Sequence, residues 1–298
     1  MSEQKFSDLE HLGLKIMNPT KFIQELRLIK SESEIAILKK SCDIASLCIN
    51  DTIRESSPGD TEHIIHARID YKCRLMGASF LAFPPVVASG NNATIIHNTN
   101  NNQIAKKGDL ILMDAGCEFA AYTSDITRTW PINGKFNKEQ NILYDIILSV
   151  QKDLINLILK KQVESLDNLF ENMCFLIGKY LQEECVISKR FEGVSLARQG
   201  YSFCPHHVSH YLGMDVHDTP LISRNIKLLP GMVCTVEPGI YIDKYKKDIP
   251  KEFRGIGIRI EDDILIKYDG VEVLSEKCLK EAYDLEKLVT ESRKTNNL

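Results

Sequence analysis

The 298-residue chain has no run of about 18 or more apolar residues, so no membrane span is expected. Its nine cysteines include no Cys-x-x-Cys pair; an odd, scattered set fits reduced, mostly buried thiols better than a disulfide framework or a zinc ribbon. There is no basic excess: 37 Lys and Arg against 41 Asp and Glu leave a net charge of −4. That argues against a nucleic-acid partner, since such binders present a basic face. No Pro- or Ser-rich linker and no low-complexity tract interrupts the chain, so one large domain is favoured over two. The opening residues, Met-Ser-Glu-Gln-Lys-Phe-Ser-Asp, lack the apolar core of a secretory signal and the Arg-rich, acid-poor look of a transit peptide. The cytosol is therefore the default location.

What is present is patterned. Residues 1–30 read as a mixed leader that packs on the body. Ser31 with Glu34 three residues later fits a capping box, and Ile35, Leu38, Cys42, Ala45 and Ile49 then recur at helical spacing. Pro58-Gly59-Asp60-Thr61 ends that helix and opens another, running to about Gly77. Short β-rich runs follow at Ala93–His97, Leu110–Met113, Glu118–Tyr122 and Ile126–Trp130, separated by Gly and Asn turns, and predict antiparallel hairpins. Residues 138–184 predict two amphipathic helices broken near Gln162–Ser165. Strand patterns return at Met232–Val236, Ile240–Ile242, Gly257–Ile260 and Ile264–Ile266, before a last helix near Cys278–Arg293. The order of helices, hairpins, helices and hairpins predicts an α+β fold, with two similar halves as an inference from element order alone.

Against this background one segment concentrates chemistry: His206 to Asp218 carries four histidines and two aspartates around Gly213, in a pattern too irregular for one helix face. Upstream lie Asp114 in Leu-Met-Asp-Ala-Gly and Asp125 in Ser-Asp-Ile-Thr-Arg. Downstream lie Glu237 in Val-Glu-Pro-Gly and Glu261 in Arg-Ile-Glu-Asp-Asp. Each has a bland alternative. Asp114 could cap a turn, Asp125 could be a solvated strand start, and Glu261 could pair with Arg259. Yet a carboxylate ending a buried run needs a partner, and Glu261-Asp262-Asp263 repel one another unless a cation sits among them. Four carboxylates with one imidazole, His210, exceed the needs of a single tetrahedral zinc. They suit two divalent cations sharing carboxylates, of the Mn, Fe, Co or Zn kind. His206 and His217 read as groups beside the metals or against substrate. His97 could join them, although a lone His there is more often a core residue. His11, His63 and His66 read as surface residues, and His207 has no role.

Taken together, Pro84-Pro85-Val86-Val87, Leu112 to Gly116, Ser124 to Trp130, His206 to Asp218, Thr235 to Tyr241 and Gly255 to Asp263 resemble the aminopeptidase P (Xaa-Pro aminopeptidase) branch of the M24 metallopeptidases, over about residues 22–290. Cys204-Pro205-His206-His207 and Asp218-Thr219-Pro220 are similar to its mitochondrial eukaryotic type. The resemblance implies a pita-bread fold, with a central antiparallel sheet, outer helices and two pseudo-symmetric halves. It divides the chain into a leader or linker remnant, 1–30, and an M24 catalytic domain, 31–298. It implies two Mn²⁺ ions: Asp114 and Asp125 on one, with Asp125 reaching the other, His210 and Glu237 on the second, and Glu261 bridging both. His97, His217 and Glu237 are the implied catalytic groups. His206 lines the proline side, and Tyr241 and Arg259 support the ligands and the substrate.

The implied reaction is removal of the N-terminal residue from peptides with proline at position two. A metal-bridging hydroxide attacks, His217 helps hold the oxyanion, and Glu237 carries the proton to the leaving nitrogen. No nucleic-acid or membrane partner is implied, a homodimer is left open, and the location is mitochondrial by resemblance. The resemblance implies an N-terminal domain ahead of the segment that begins here at Pro19, a domain not expected within these 298 residues. A prolidase, acting on Xaa-Pro dipeptides, and a methionine aminopeptidase are rival enzymes, the wording around His206–Asp218 disfavouring the second. A binding module that has lost catalysis is the rival from another class. The intact ligand set speaks against it.

Overall fold

The computed structural model describes residues 17–295; His11 and most of the expected leader lie outside the described residues. Helix α1 spans Thr20–Leu28. Helix α2, Glu32–Glu55, begins with the anticipated capping box: Ser31 N donates to Glu34 Oε2 at 2.7 Å while Ser31 Oγ accepts from Glu34 N. Its positions Ile35, Leu38, Cys42, Ala45 and Ile49 are all buried. Thr61 caps α3, Glu62–Leu75.

The strands that follow are β1 (Phe80–Leu81), β2 (Val86–Ser89), β3 (Leu110–Ala115), β4 (Cys117–Phe119), β5 (Tyr122–Thr123) and β6 (Ile126–Pro131). Helices α4 (Lys138–Leu159), α5 (Leu166–Glu183) and α6 (Gly193–Phe203) come next. Then follow β7 (Val233–Val236), β8 (Gly239–Ile242), β9 (Ile256–Arg259), β10 (Asp262–Lys267), β11 (Gly270–Val273) and the last helix α7 (Ala282–Thr295).

Two three-stranded antiparallel sheets, β2-β3-β6 and β11-β10-β7, form the centre, accompanied by the pair β8-β9 and a third three-stranded sheet, β1-β4-β5. Each central sheet follows a set of helices, α2 and α3 for the first, α4, α5 and α6 for the second. The two halves meet along β6 and β9: Glu261 N donates to Thr127 O at 3.1 Å, and Thr129 Oγ1 donates to Arg259 O at 3.0 Å. Eight of the nine cysteines are buried and all are free, as scattered thiols predicted.

Three expectations need correction. Ala93–His97 is not a strand: Gly90–Thr94 winds into a 3₁₀ turn, closed by Ile95 N donating to Asn92 O, because Gly90-Asn91-Asn92 favours turning over pairing. Glu118–Tyr122 is a two-residue hairpin: Ala120 and Ala121 both take positive φ (49° and 65°), which the twist of such a hairpin demands. And the stretch before residue 200 holds α6, unread because its apolar residues are few and Gly193 and Gly200 interrupt the pattern.

Candidate metal centre

Register builds the site. β3 pairs with β6 so that Asp114 lies opposite Thr127, and Asp125 immediately precedes β6. Gly116 makes this approach feasible, since a Cβ there would stand 1.6 Å from Ser124 O. In the other half Asp262 lies opposite Val236, which brings Glu237 and Glu261 to adjoining strand ends. The segment carrying His210 runs beside β7, with Thr235 N donating to His210 O at 3.0 Å and Glu237 N to Val208 O at 2.9 Å.

One donor atom each of Asp125, His210 and Glu261 falls within 4.8 Å of the others. His210 Nδ1 lies 3.1 Å from Tyr211 O and must carry the proton there. Nε2 therefore turns a lone pair toward Asp125 Oδ2 at 3.3 Å and Glu237 Oε1 at 3.6 Å. Lone pairs facing anionic oxygens repel unless a cation lies between them. Asp114 and Glu237 flank the trio and line the same cavity, of about 160 Å³. Asp114 Oδ1 and Asp125 Oδ1 are buried without a hydrogen-bond partner. Burial, with the charges of Glu261 and Asp114, pushes Asp125 well above the carboxylate range. Burial and Glu237 do the same to Glu261, and burial raises Glu237 to about 8. The donor set fits divalent cations: oxygen-rich, one imidazole, orphaned oxygens and uncompensated negative charge.

The three acids at 261–263 divide their tasks. Only Glu261 faces the cavity, with Thr127 Oγ1 donating to its Oε2 at 2.6 Å. The cations that the repulsion argument asked for are, at Asp262, side chains of the protein. Asp262 has its cations in Arg128, whose Nη2 is 2.7 Å away, and Lys280. Burial pushes its carboxyl up, but these two charges outweigh that and hold it below the usual range. Asp263 accepts from Asp125 N at 2.9 Å and from the Cys42 thiol at 3.2 Å, behind the site. The suggested Glu261–Arg259 pair is replaced by another: Arg259 Nη2 donates to Asp114 Oδ2 at 2.7 Å.

His206, Tyr241, Arg259 and Asp114 form one chain. His206 Nδ1 is 2.9 Å from His207 O, so Nε2 is the acceptor, receiving the Tyr241 hydroxyl at 2.9 Å with the Cys204 thiol at 3.3 Å. Tyr241 in turn accepts from Arg259 Nη1 at 2.9 Å. Burial and the Arg259 charge lower His206 to about 4, and burial and His217 lower His210 to about 3. Tyr241 is buried with its hydroxyl committed and does not line the cavity. His97 and His217 are exposed at its mouth, His217 standing edge-on to His210 with centroids 4.6 Å apart.

His63 is exposed as expected, whereas His66 is half-buried beside Asn101, 3.0 Å from its amide. His207 stacks on Phe170 at 4.9 Å. Two residues went unread. Thr127 was legible in principle, two positions from Asp125 and on the same strand face. Arg224, which lines both the cavity and an adjoining cleft of about 380 Å³, sits in a loop with no sequence signal.

The comparisons agree with this geometry. The pattern described as metallopeptidase family M24 matches residues 36–268. The chain is 42% identical over 278 residues to Xaa-Pro aminopeptidase 3 of Homo sapiens, covering 93% of this chain and 54% of that protein. It is 40% identical over 285 residues to the Arabidopsis thaliana protein named Intermediate cleaving peptidase 55, mitochondrial, covering 95% and 55%. The solved structure of proline aminopeptidase P II from Yersinia pestis superposes with a TM-score of 0.85 at 36% identity, covering 92% of this chain and 63% of that one. The chain thus belongs to metallopeptidase family M24 and has the pita-bread fold of its aminopeptidase P branch. It spans about half the length of the two named relatives.

Proposed function

We propose that this chain is a metal-dependent Xaa-Pro aminopeptidase holding two divalent cations, Mn²⁺ first among them, on Asp114, Asp125, His210, Glu237 and Glu261. The observation that carries the reading is the His210 Nε2 lone pair aimed at Asp125 and Glu237, beside the orphaned oxygens of Asp114 and Asp125. When bound, such a pair of cations polarises a carbonyl and supplies a water of lowered pKa.

The chain's own groups do the rest. Glu237, which lines the cavity beside His210, is placed to take a proton and return it to the leaving nitrogen. His97 and His217, both at the mouth of the cavity, are placed to donate to a carbonyl oxygen and to the anion that develops on it. His206 has both ring nitrogens committed internally and offers a neutral ring face, suited to an apolar pyrrolidine. Proline nitrogen in a peptide has no N–H, so a site that demands no such donor accepts it. Tyr241 and Arg259 act through His206 and Asp114. The name of the Arabidopsis relative supports a mitochondrial location, and no described helix is long and apolar enough to cross a membrane.

Arg224 favours a second reading. Its exposed guanidinium stands between cavity and cleft, placed to take a free carboxylate one residue past the scissile bond, which would make the chain a dipeptidase. The test is removal of metal by chelator, return of Mn²⁺, and assay of an Xaa-Pro-Xaa tripeptide beside its Xaa-Ala-Xaa twin and an Xaa-Pro dipeptide. Mn²⁺-dependent cleavage of the proline tripeptide over its alanine twin supports the aminopeptidase. Cleavage of the dipeptide alone supports the second reading. Bound metal with no cleavage of any of them overturns both.

A further inference from the structure

The loop that follows His210 is held from outside the family-matched region. Asp218, next to His217, has a side chain with 0% exposure, and so nearly does Lys30, at 1%; Lys30 Nζ lies 3.1 Å from Asp218 Oδ2. Arg27 takes the other oxygen of Asp218 and also Asp215. Gln24 Oε1 accepts from Leu221 N at 2.7 Å. Helix α1 and its C-terminal turn therefore grip the loop at 215, 218 and 221. On the far side β5 grips it too, with Thr123 N and Oγ1 both donating to Gly213 O. The loop closes on itself through Asp218 N donating to Tyr211 O at 2.9 Å.

Two observations show that this shape is imposed. Thr219 takes φ +48°, which a β-branched residue avoids, and its buried Oγ1 has no partner. A Cβ at Gly213 would stand 2.4 Å from Asp218 Oδ2 and 3.1 Å from Lys30 Cε, so the backbone is pressed against the ion pair. Removing the Lys30 charge leaves the buried Asp218 carboxylate with Arg27, a partly exposed partner, on one oxygen alone, and that weakened pairing makes alternative loop arrangements accessible.

We propose that Lys30, through Asp218, is a positioning residue for His217 and His210, so that the functional unit begins before residue 31. The kinetic part of this rests on the peptidase reading; the structural part does not. The test uses the full chain and the variants Lys30→Met and Lys30→Arg, with hydrogen–deuterium exchange on the metal-free protein and kinetics on the Mn²⁺-loaded one. Lys30→Met is expected to speed exchange in residues 211–222 by about tenfold while α2 and β7 keep their protection. It is expected to lower kcat by about tenfold or more, with KM within a few fold, as misplacement away from the reacting atoms does. Lys30→Arg is expected to restore both. Unchanged exchange in 211–222, or a loss of stability with kcat per metal-loaded chain intact, overturns the proposal. Should Lys30→Met fail to fold, Arg27→Met, at a partly exposed site, must show the same local rise in exchange, and its absence overturns the proposal equally. If the unaltered chain proves inactive, exchange alone decides.

Discussion

Arg259 and Asp114 are bound across the junction of the two halves, Nη2 to Oδ2 at 2.7 Å, and that single bond leaves Asp114 Oδ1 partnerless beside the cavity. Arg259 is itself fixed by Tyr241 and by Thr127, whose Oγ1 lies 3.1 Å from Nε. One guanidinium thus ties a proposed ligand of the first half to strands of the second. Arg259→Lys keeps the charge and loses the planar fork. It is expected to weaken Mn²⁺ binding by about 10–100-fold, read by calorimetric titration. Unaltered affinity would show that Asp114 holds its orientation unaided.

The proposed ligand set draws two residues from the first half and three from the second, and metal counting tests whether it holds two cations. Two Mn²⁺ per chain are expected by elemental analysis after gel filtration. Glu261→Gln removes a carboxylate whose oxygen lies within 4.8 Å of donor atoms of both Asp125 and His210, and is expected to retain no more than one, with peptide cleavage at the assay floor. Two metals retained by that variant would exclude Glu261 as the bridge.

Much of this was legible in the sequence, for physical reasons. The period of α2 and its Ser31–Glu34 cap announce themselves locally. The five proposed ligands are legible because Asp114, Asp125, Glu237 and Glu261 stand in or at the ends of apolar strands and His210 sits in a His-rich segment. What was not legible depends on contacts distant in sequence. Asp262 looked like Glu261 until Arg128, 134 positions away, was seen to neutralise it. Arg224 and the grip of α1 on Asp218 have no periodic or compositional trace. The turn at Gly90–Thr94 did leave a trace, Gly90-Asn91-Asn92, but apolar Ala93 and Ile95 beside it imitated a strand.

Protons and metal compete for the same oxygens, so stability of the metal-free protein depends on pH with a definite sign. Glu237 is raised to about 8, and Asp125 and Glu261 are raised as well. A carboxyl whose folded pKa exceeds its unfolded value of about 4 contributes stability in full below that value. The contribution is lost as pH rises through the folded pKa. The metal-free protein is therefore expected to melt at lower temperature at pH 8.5 than at pH 6, and saturating Mn²⁺ should abolish that fall. A metal-free Tm that is level or rises over this interval contradicts the assignment.

Arg128 and Asp262 carry the last prediction. Both side chains are wholly buried, and the carboxylate also accepts from Ser275 Oγ at 2.7 Å. Arg128 further donates to the carbonyls of Glu261 and Cys278, so it braces the strand end that carries Glu261. Arg128→Met leaves Asp262 with Lys280 as its one remaining cation among the described residues, and that partner reaches in from a more exposed position. Breaking a buried pair from one side typically removes about 3–5 kcal/mol, whereas removing both charges spares the residual one. Urea unfolding of the metal-free chain should place Arg128→Met well below wild type and the double variant Arg128→Met/Asp262→Asn between them. A double variant no more stable than the single one would mean that the carbonyl contacts of Arg128, rather than its charge pairing, hold this strand end in place.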